Sequence, residues 1–288
     1  MIDSTSQTEI ENISMDLLKQ SKSIDVFPTP VDDIVKYANL TIDKSVDLSK
    51  IDNSYLTSIS PNVAKKTIDS IKQVRGALDR NDKTIYLDLS QIHTRQNFVK
   101  LHETGHEVLY WQNEILAHLD DDTTLDFYTS EEFEAEANYF ASTILFQNDR
   151  FQNEISTLKL SIDTPIKLAK KFGASNHATL RKYVESSIQR CALLVLENIS
   201  EKGTIPLCSK RDYFQSPSFS TTFGKINLPN EFGYTWSFTQ DFYFKKRFHK
   251  RGKICLETEN GYADFQYHFF NNTYNAFVLI FPVGEGKL

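Results

Sequence analysis

The stretch Arg95–Trp111, RQNFVKLHETGHEVLYW, constrains this chain more than any other. It contains His102-Glu103-Thr104-Gly105-His106, and two histidines four apart share a face when the segment is helical. Both imidazoles can then reach one metal ion, while Glu103 leaves at another angle and can address a water beside it. Winding the stretch at roughly 100° per residue puts Phe98, Leu101, Leu109 and both histidines on one inward stripe. Gly105 shares that stripe, where a residue without a side chain lets a second backbone come close. Paired inward histidines also occur as ordinary core residues, so the pattern needs a third ligand.

H-E-x-x-H is the pattern of zinc peptidases. The metzincin arrangement is excluded, because Leu109 stands where it needs glycine and Gln112 where it needs histidine. A glutamate from a following helix is the remaining common solution. Ser130–Phe146, SEEFEAEANYFASTILF, carries Phe133, Ala137, Phe140, Ala141, Ile144 and Leu145 at helical spacing, with Ser130 expected to cap its start. Glu134 lies nearest the centre of that apolar face, about 60° away; Glu136 sits further round, and Glu131 and Glu132 point to solvent. A carboxylate aimed into a core is costly unless a cation receives it. The expected zinc ligands are His102, His106 and Glu134, with a water in the fourth position. Asn138, one turn after Glu134, is expected to support a ligand from behind.

RQNFVKLHETGHEVLY followed by EAEANYFASTILF resembles the ImmA/IrrE family of bacterial and phage metallo-endopeptidases. VFPTPVDD at 26–33 is similar to the segment that opens the family's domain, and VRGALDRNDKTIYLD at 74–88 to the strand pair before its active-site helix. The likeness spans roughly residues 10–195. It implies that His102, His106 and Glu134 bind zinc and that Glu103 is the general base. One departure is visible: Ile144-Leu145-Phe146-Gln147 stands where the family often has Leu-Leu-Met-Pro.

The other elements predict an α+β chain in three parts: a mainly helical zinc-peptidase domain with a small β-sheet (1–158), a helix-turn-helix-like segment (159–200) and a β-rich C-terminal domain (201–288). Residues 8–22 and Pro30–Leu40 read as helices. Thr41–Ser60 has room for a short strand, and Ser60–Gly76 reads as a helix breaking into a strand. Thr84–Leu89 alternates as a strand with Ile85, Leu87 and Leu89 on one side. In the acidic stretch Leu116–Phe127, His118 has no periodicity to hold it inward and is not taken as a ligand.

Ser161–Ser186 carries two helical patterns around Phe172-Gly173-Ala174-Ser175, the spacing of a helix-turn-helix. Residues 159–190 hold seven Lys/Arg against two Asp/Glu, yet such pairs also serve as packing units, and packing is the expected role. Cys191–Ile199, CALLVLENI, reads as an apolar helix, and Glu201-Lys202-Gly203 as a boundary. Beyond it the period is two. Trp236, Phe238, Phe242 and Phe244 are expected on one strand face, Lys245–Lys253 as a basic turn region, Asn260-Gly261 as a hairpin and Ala276–Val283 as a buried strand. The 21 Phe and 13 Tyr imply an aromatic second core. Cys191, Cys208 and Cys255 lack C-x-x-C spacing and are expected as free thiols.

Net charge −6 gives no general affinity for nucleic acid, and no apolar run approaches the length of a membrane span. MIDSTSQTEIENISMDLL is polar and acidic where a secretory signal would be basic and then apolar, so the cytoplasm is the expected location. The expected chemistry is peptide-bond hydrolysis, with an oxyanion donor among Tyr110, Tyr128 and Tyr139. The resemblance implies a helix-turn-helix transcriptional repressor as substrate, in stress response or mobile-element induction. Two alternatives stand beside it: a DNA- or protein-binding regulator with a structural metal, and a protease toxin with a cognate antitoxin. Some family members carry a sensor-like C-terminal domain, so residues 201–288 are a candidate for sensing or recognition.

Overall fold

Asp3 starts the first helix. Its carboxylate accepts the N–H groups of Thr5 and Ser6 at 2.8 and 3.1 Å, capping α1 (Ser4–Gln20). The computed structural model describes residues 2–50, 75–118, 127–202 and 205–285. The chain divides into two compact units, Met1–Phe151 with Lys170–Ser175, and Gln152–Ala169 with Asn176–Leu288. The expected helix and strand between Ser60 and residue 74 lie outside the described residues, as do residues 119–126 and the side chain of His118.

In the first unit, α1 and α2 (Val31–Tyr37) lead to a three-stranded sheet of β1 (Thr41–Asp47), β2 (Gly76–Asp79) and β3 (Thr84–Leu87), in the order β1-β3-β2. Ile85 and Leu87 are buried, as the alternation predicts. Then come α3 (His93–Val108), α4 (Tyr110–His118) and α5 (Phe127–Leu145). α3 packs on α5, and β2 and β3 also lie against it. Gly105 permits that crossing: a Cβ there would meet the Phe140 ring at 3.0 Å and Ala137 Cα at 3.3 Å. α5 begins at Phe127, so Ser130 lies inside the helix and does not cap it. Its apolar face is as expected, with Phe133, Ala137, Phe140, Ala141, Ile144 and Leu145 all buried. Beyond it, buried Gln147 accepts the N–H of Asp25 at 2.8 Å and donates to the Val26 carbonyl at 2.8 Å and Thr29 Oγ1 at 3.2 Å. An amide thus ties down residues 25–29 where the family pattern has proline.

Next in the chain are α6 (Asp149–Ser156), α7 (Asp163–Phe172) and α8 (Asn176–Glu185). Gly173, at φ +72°, makes the turn between α7 and α8 in a conformation that suits glycine. The second unit then builds a six-stranded sheet from β4 (Ala192–Lys202), β5 (Ile205–Gln215), β6 (Glu231–Phe232), β7 (Phe248–Thr258), β8 (Gly261–Asn271) and β9 (Ala276–Pro282), ordered β6-β5-β4-β9-β8-β7. Its neighbours pair antiparallel.

Four expectations are corrected in this unit. Cys191–Ile199 is not a helix: Ala192–Leu196 forms the strand between β5 and β9, and all five residues are buried. A strand covered on both faces reads as a continuous apolar run, which periodicity alone does not separate from a buried helix. The boundary expected at 201–203 falls inside one sheet, where Glu201 and Lys202 of β4 pair with Pro206 and Ile205 of β5. Trp236–Phe244 is not a strand but contains helix α10 (Ser237–Tyr243), which follows the short helix α9 (Pro217–Phe223); Phe238 and Phe242 form its buried face four residues apart. The basic run is strand from Phe248 onward.

The hairpin forms one residue earlier than Asn260-Gly261: Thr258 lies opposite Gly261, and Glu259-Asn260 is the two-residue loop. β9 is buried throughout, and an aromatic core of Phe219, Phe232, Phe238, Phe265, Tyr267 and Phe269 lies on one face of the sheet. Cys191 and Cys208 are buried free thiols, and Cys255 is an exposed one. Helices and sheet together make the chain α+β. No helix among the described residues is long and apolar enough to cross a membrane.

Candidate metal centre

The 3.6-residue period of α3 sets His102 and His106 one above the other, with their Nε2 atoms 3.1 Å apart. From α5, Glu134 brings Oε2 to 3.3 Å from His102 Nε2 and Oε1 to 3.6 Å from His106 Nε2. The edges of a tetrahedron around zinc, with bonds of 2.0–2.1 Å, measure about 3.3 Å. Two imidazole lone pairs this close repel each other unless a proton or a cation lies between them. The triangle therefore fits a small divalent cation, and His102, His106 and Glu134 are brought together as expected.

Electrostatics agree with that fit. Burial opposes ionisation of Glu134, but hydrogen bonds and charge from His102 and His106 prevail and hold its carboxyl below the ordinary range. Burial likewise opposes a charged His106, yet Glu134 and Glu103 raise its pKa. The pocket is built for positive charge. Glu103, the residue after the first histidine, is itself buried, and burial pushes its carboxyl up against the opposing pull of His102, His106 and Arg80. Gly76 of β2 lies against it. Arg80, at the end of β2, donates to Asn113, and Lys83 Nζ meets Glu107 Oε1 at 2.5 Å. The β2–β3 turn is thereby tied to the C-terminal end of α3 through Glu107 and to α4 through Asn113.

Asn138 is exposed, and the supporting contact comes from elsewhere. His106 Nδ1 bonds Gln112 Oε1 at 2.8 Å, and Gln112 Nε2 donates to Glu136 Oε2 at 2.8 Å. Helical periodicity assigns neither residue this contact. Gln112 falls beyond the break at Leu109, which a continuous helical projection does not anticipate, and Glu136 projects off the apolar face of α5 on a helical wheel. Trp111, beside Gln112, is the one signal available: an indole N–H in a buried segment seeks an acceptor. Two of the three tyrosines are engaged outside the triangle, with Tyr110 donating to Glu9 and Tyr139 to Glu11 at 2.6 Å. Tyr128 is 81% exposed.

Residues 61–183 match the Peptidase_M78 family, described as the IrrE N-terminal-like domain. The sequence matches none of the curated proteins compared with it. Among solved structures, the chain is similar to a Mycobacterium tuberculosis transcriptional regulator, at 11% identity and a TM-score of 0.52, covering 96% of this chain and 76% of that one. At that identity the likeness concerns the fold alone.

Proposed function

The chain belongs to the IrrE N-terminal-like peptidase family through residues 61–183, and from that premise we infer a zinc-dependent endopeptidase. The observation that carries this reading is the triangle of His102, His106 and Glu134 with buried Glu103 one residue along the same helix.

His102, His106 and Glu134 would hold a zinc ion, which would supply Lewis acidity toward a water and a peptide carbonyl. Glu103 does the proton work: its carboxylate takes a proton from the attacking water and delivers it to the leaving amine nitrogen. Burial raises its proton affinity, which suits a group that must both accept and release. Among the described residues β2 pairs only with β3, so an extended peptide could add along its outer edge beside Glu103.

On the family resemblance, the substrate is a transcriptional repressor of the helix-turn-helix kind, and a cytoplasmic setting belongs to that reading. The regulator alternative requires α8 to read DNA. Only Arg181 and Glu185 of α8 are exposed, they pair with each other at 2.9 Å, and Arg181 lies 4.8 Å from the Phe214 ring centroid. A recognition helix needs three or four side chains free to reach base edges. Packing against β4 and β5 is the role these contacts favour.

The test is mass spectrometry of new protein N-termini in cells expressing wild type or Glu103→Gln. Termini confined to wild type and concentrated in one repressor-like protein are expected. Identical profiles, under stress and with added zinc, would sink the protease reading.

A further inference from the structure

Gln112 is fully buried, and its amide is held on both sides. Oε1 faces His106 Nδ1 at 2.8 Å; Nε2 donates to Glu136 Oε2 at 2.8 Å and faces the Phe133 carbonyl at 3.3 Å. Both groups on the nitrogen side are acceptors without hydrogens, so turning the amide over would set oxygen against oxygen. The oxygen therefore belongs toward His106, and His106 must carry its hydrogen on Nδ1. That leaves the Nε2 lone pair pointing into the triangle with His102 and Glu134. Glu136 is 3% exposed, a costly place for a carboxylate, but Oε2 receives Trp111 Nε1 at 2.8 Å as well as Gln112.

We propose that Gln112 and Glu136 are positioning residues for His106: a carboxylate acting through an interposed amide to fix one imidazole as a metal ligand. The proposal rests on the zinc reading given above. A carboxylate behind a ligating histidine fixes its ring and raises its basicity; here the amide transmits that pull, its N–H polarised by Glu136 and its oxygen made a better acceptor for Nδ1–H. The break after α3 makes it possible. Leu109 N–H closes the last turn on Gly105 O at 3.0 Å and α4 starts at Tyr110, which brings Gln112 round to His106. The relay serves one histidine of the two: His102 Nδ1 is buried with no hydrogen-bond partner among the described residues.

A purely structural Gln112, tying α4 to α5, would affect stability and leave the metal alone. Three variants of the full chain separate the roles: Gln112→Met, Glu136→Gln and, as control, Gln147→Met, which removes an equally buried amide remote from the ligands in sequence. Zinc affinity is read by competition with a chromophoric chelator, and the absorption bands of the cobalt-substituted protein report the ligand field. Gln112→Met and Glu136→Gln should each weaken zinc binding by about 10–100-fold and shift the cobalt bands. Gln147→Met should lower the melting temperature without moving either. Wild-type affinity and bands in the first two variants would overturn the relay alone, and if Gln112→Met does not fold, Glu136→Gln decides. A wild-type chain that binds neither zinc nor cobalt overturns the zinc reading and the relay together.

Discussion

A methyl group placed on Gly76 would lie 2.9 Å from Glu103 Oε1 and would collide outright with Val99. The first strand of the β2–β3 hairpin thus presses its bare backbone against the proposed base, and only glycine leaves room for that carboxylate. Gly76→Ala should therefore displace Glu103 while His102, His106 and Glu134 stay in place. Turnover is expected to fall about 10²-fold, the scale of a misplacement near 1 Å, with zinc stoichiometry unchanged. Adding Val99→Ala removes the second collision but not the first, so stability should recover and turnover should not. Recovery of both would show that Gly76 matters only to packing.

The convergence of His102, His106 and Glu134 is legible in the sequence because it depends on one helical period within α3 and one apolar face on α5, both local. The hairpin at Thr258–Gly261 and the all-buried β9 are legible for the same reason. What escapes is what tertiary contact decides. Leu193, Leu194 and Val195 suit a buried helix as well as a buried strand, and only pairing with β5 and β9 selects the strand. Phe238 and Phe242 fit a strand face two steps apart as well as one helical turn. Gln112 reaches His106 through a helix break at Leu109 that no periodicity announces, and buried Glu136 gains its role only from the neighbours α4 brings to it.

Removing the metal should loosen the first unit, because binding to the folded state alone stabilises it by mass action. At free zinc a thousandfold above the dissociation constant the gain is about 4 kcal/mol. Calorimetry with and without chelator should show a metal-dependent rise in melting temperature. His106→Ala should abolish that rise while leaving the chain folded. A variant that still responds to zinc would place the ion elsewhere.

The second unit should respond to acid through two histidines. Burial and the charge of Arg211 lower His177, with Asp212 opposing; burial and Lys250 lower His268, with Asp163 opposing. Unfolded histidine titrates at about 6.5. Below that value, down to the depressed folded values, the unfolded chain binds more protons than the folded one, so stability rises with pH in this window. It is fully present above the ordinary histidine value and is lost as pH falls through the folded ones. His268 Nδ1 faces the Ile162 N–H at 3.4 Å, a contact that protonation would break. Denaturant unfolding at pH 7.5 and 5.5, followed through the second unit, should show the loss, and His268→Gln should reduce it. An unchanged slope in that variant would remove His268 from the account.

Leu194 tests whether β4 is the structural centre of the second unit. It is fully buried, pairs in register with Tyr213 and Val278, and belongs to the aromatic core that Phe265 and Tyr267 fill from β8. Truncation to alanine leaves a cavity that strands paired on both sides cannot close, so Leu194→Ala should cost about 2–5 kcal/mol. Ile188, a few residues earlier and 76% exposed, has no such surroundings; Ile188→Ala should stay within about 0.5 kcal/mol. Urea midpoints of the two variants provide the comparison. Similar small shifts in both would mean that the sheet accommodates a void at its centre, and that its stability comes from the edge strands instead.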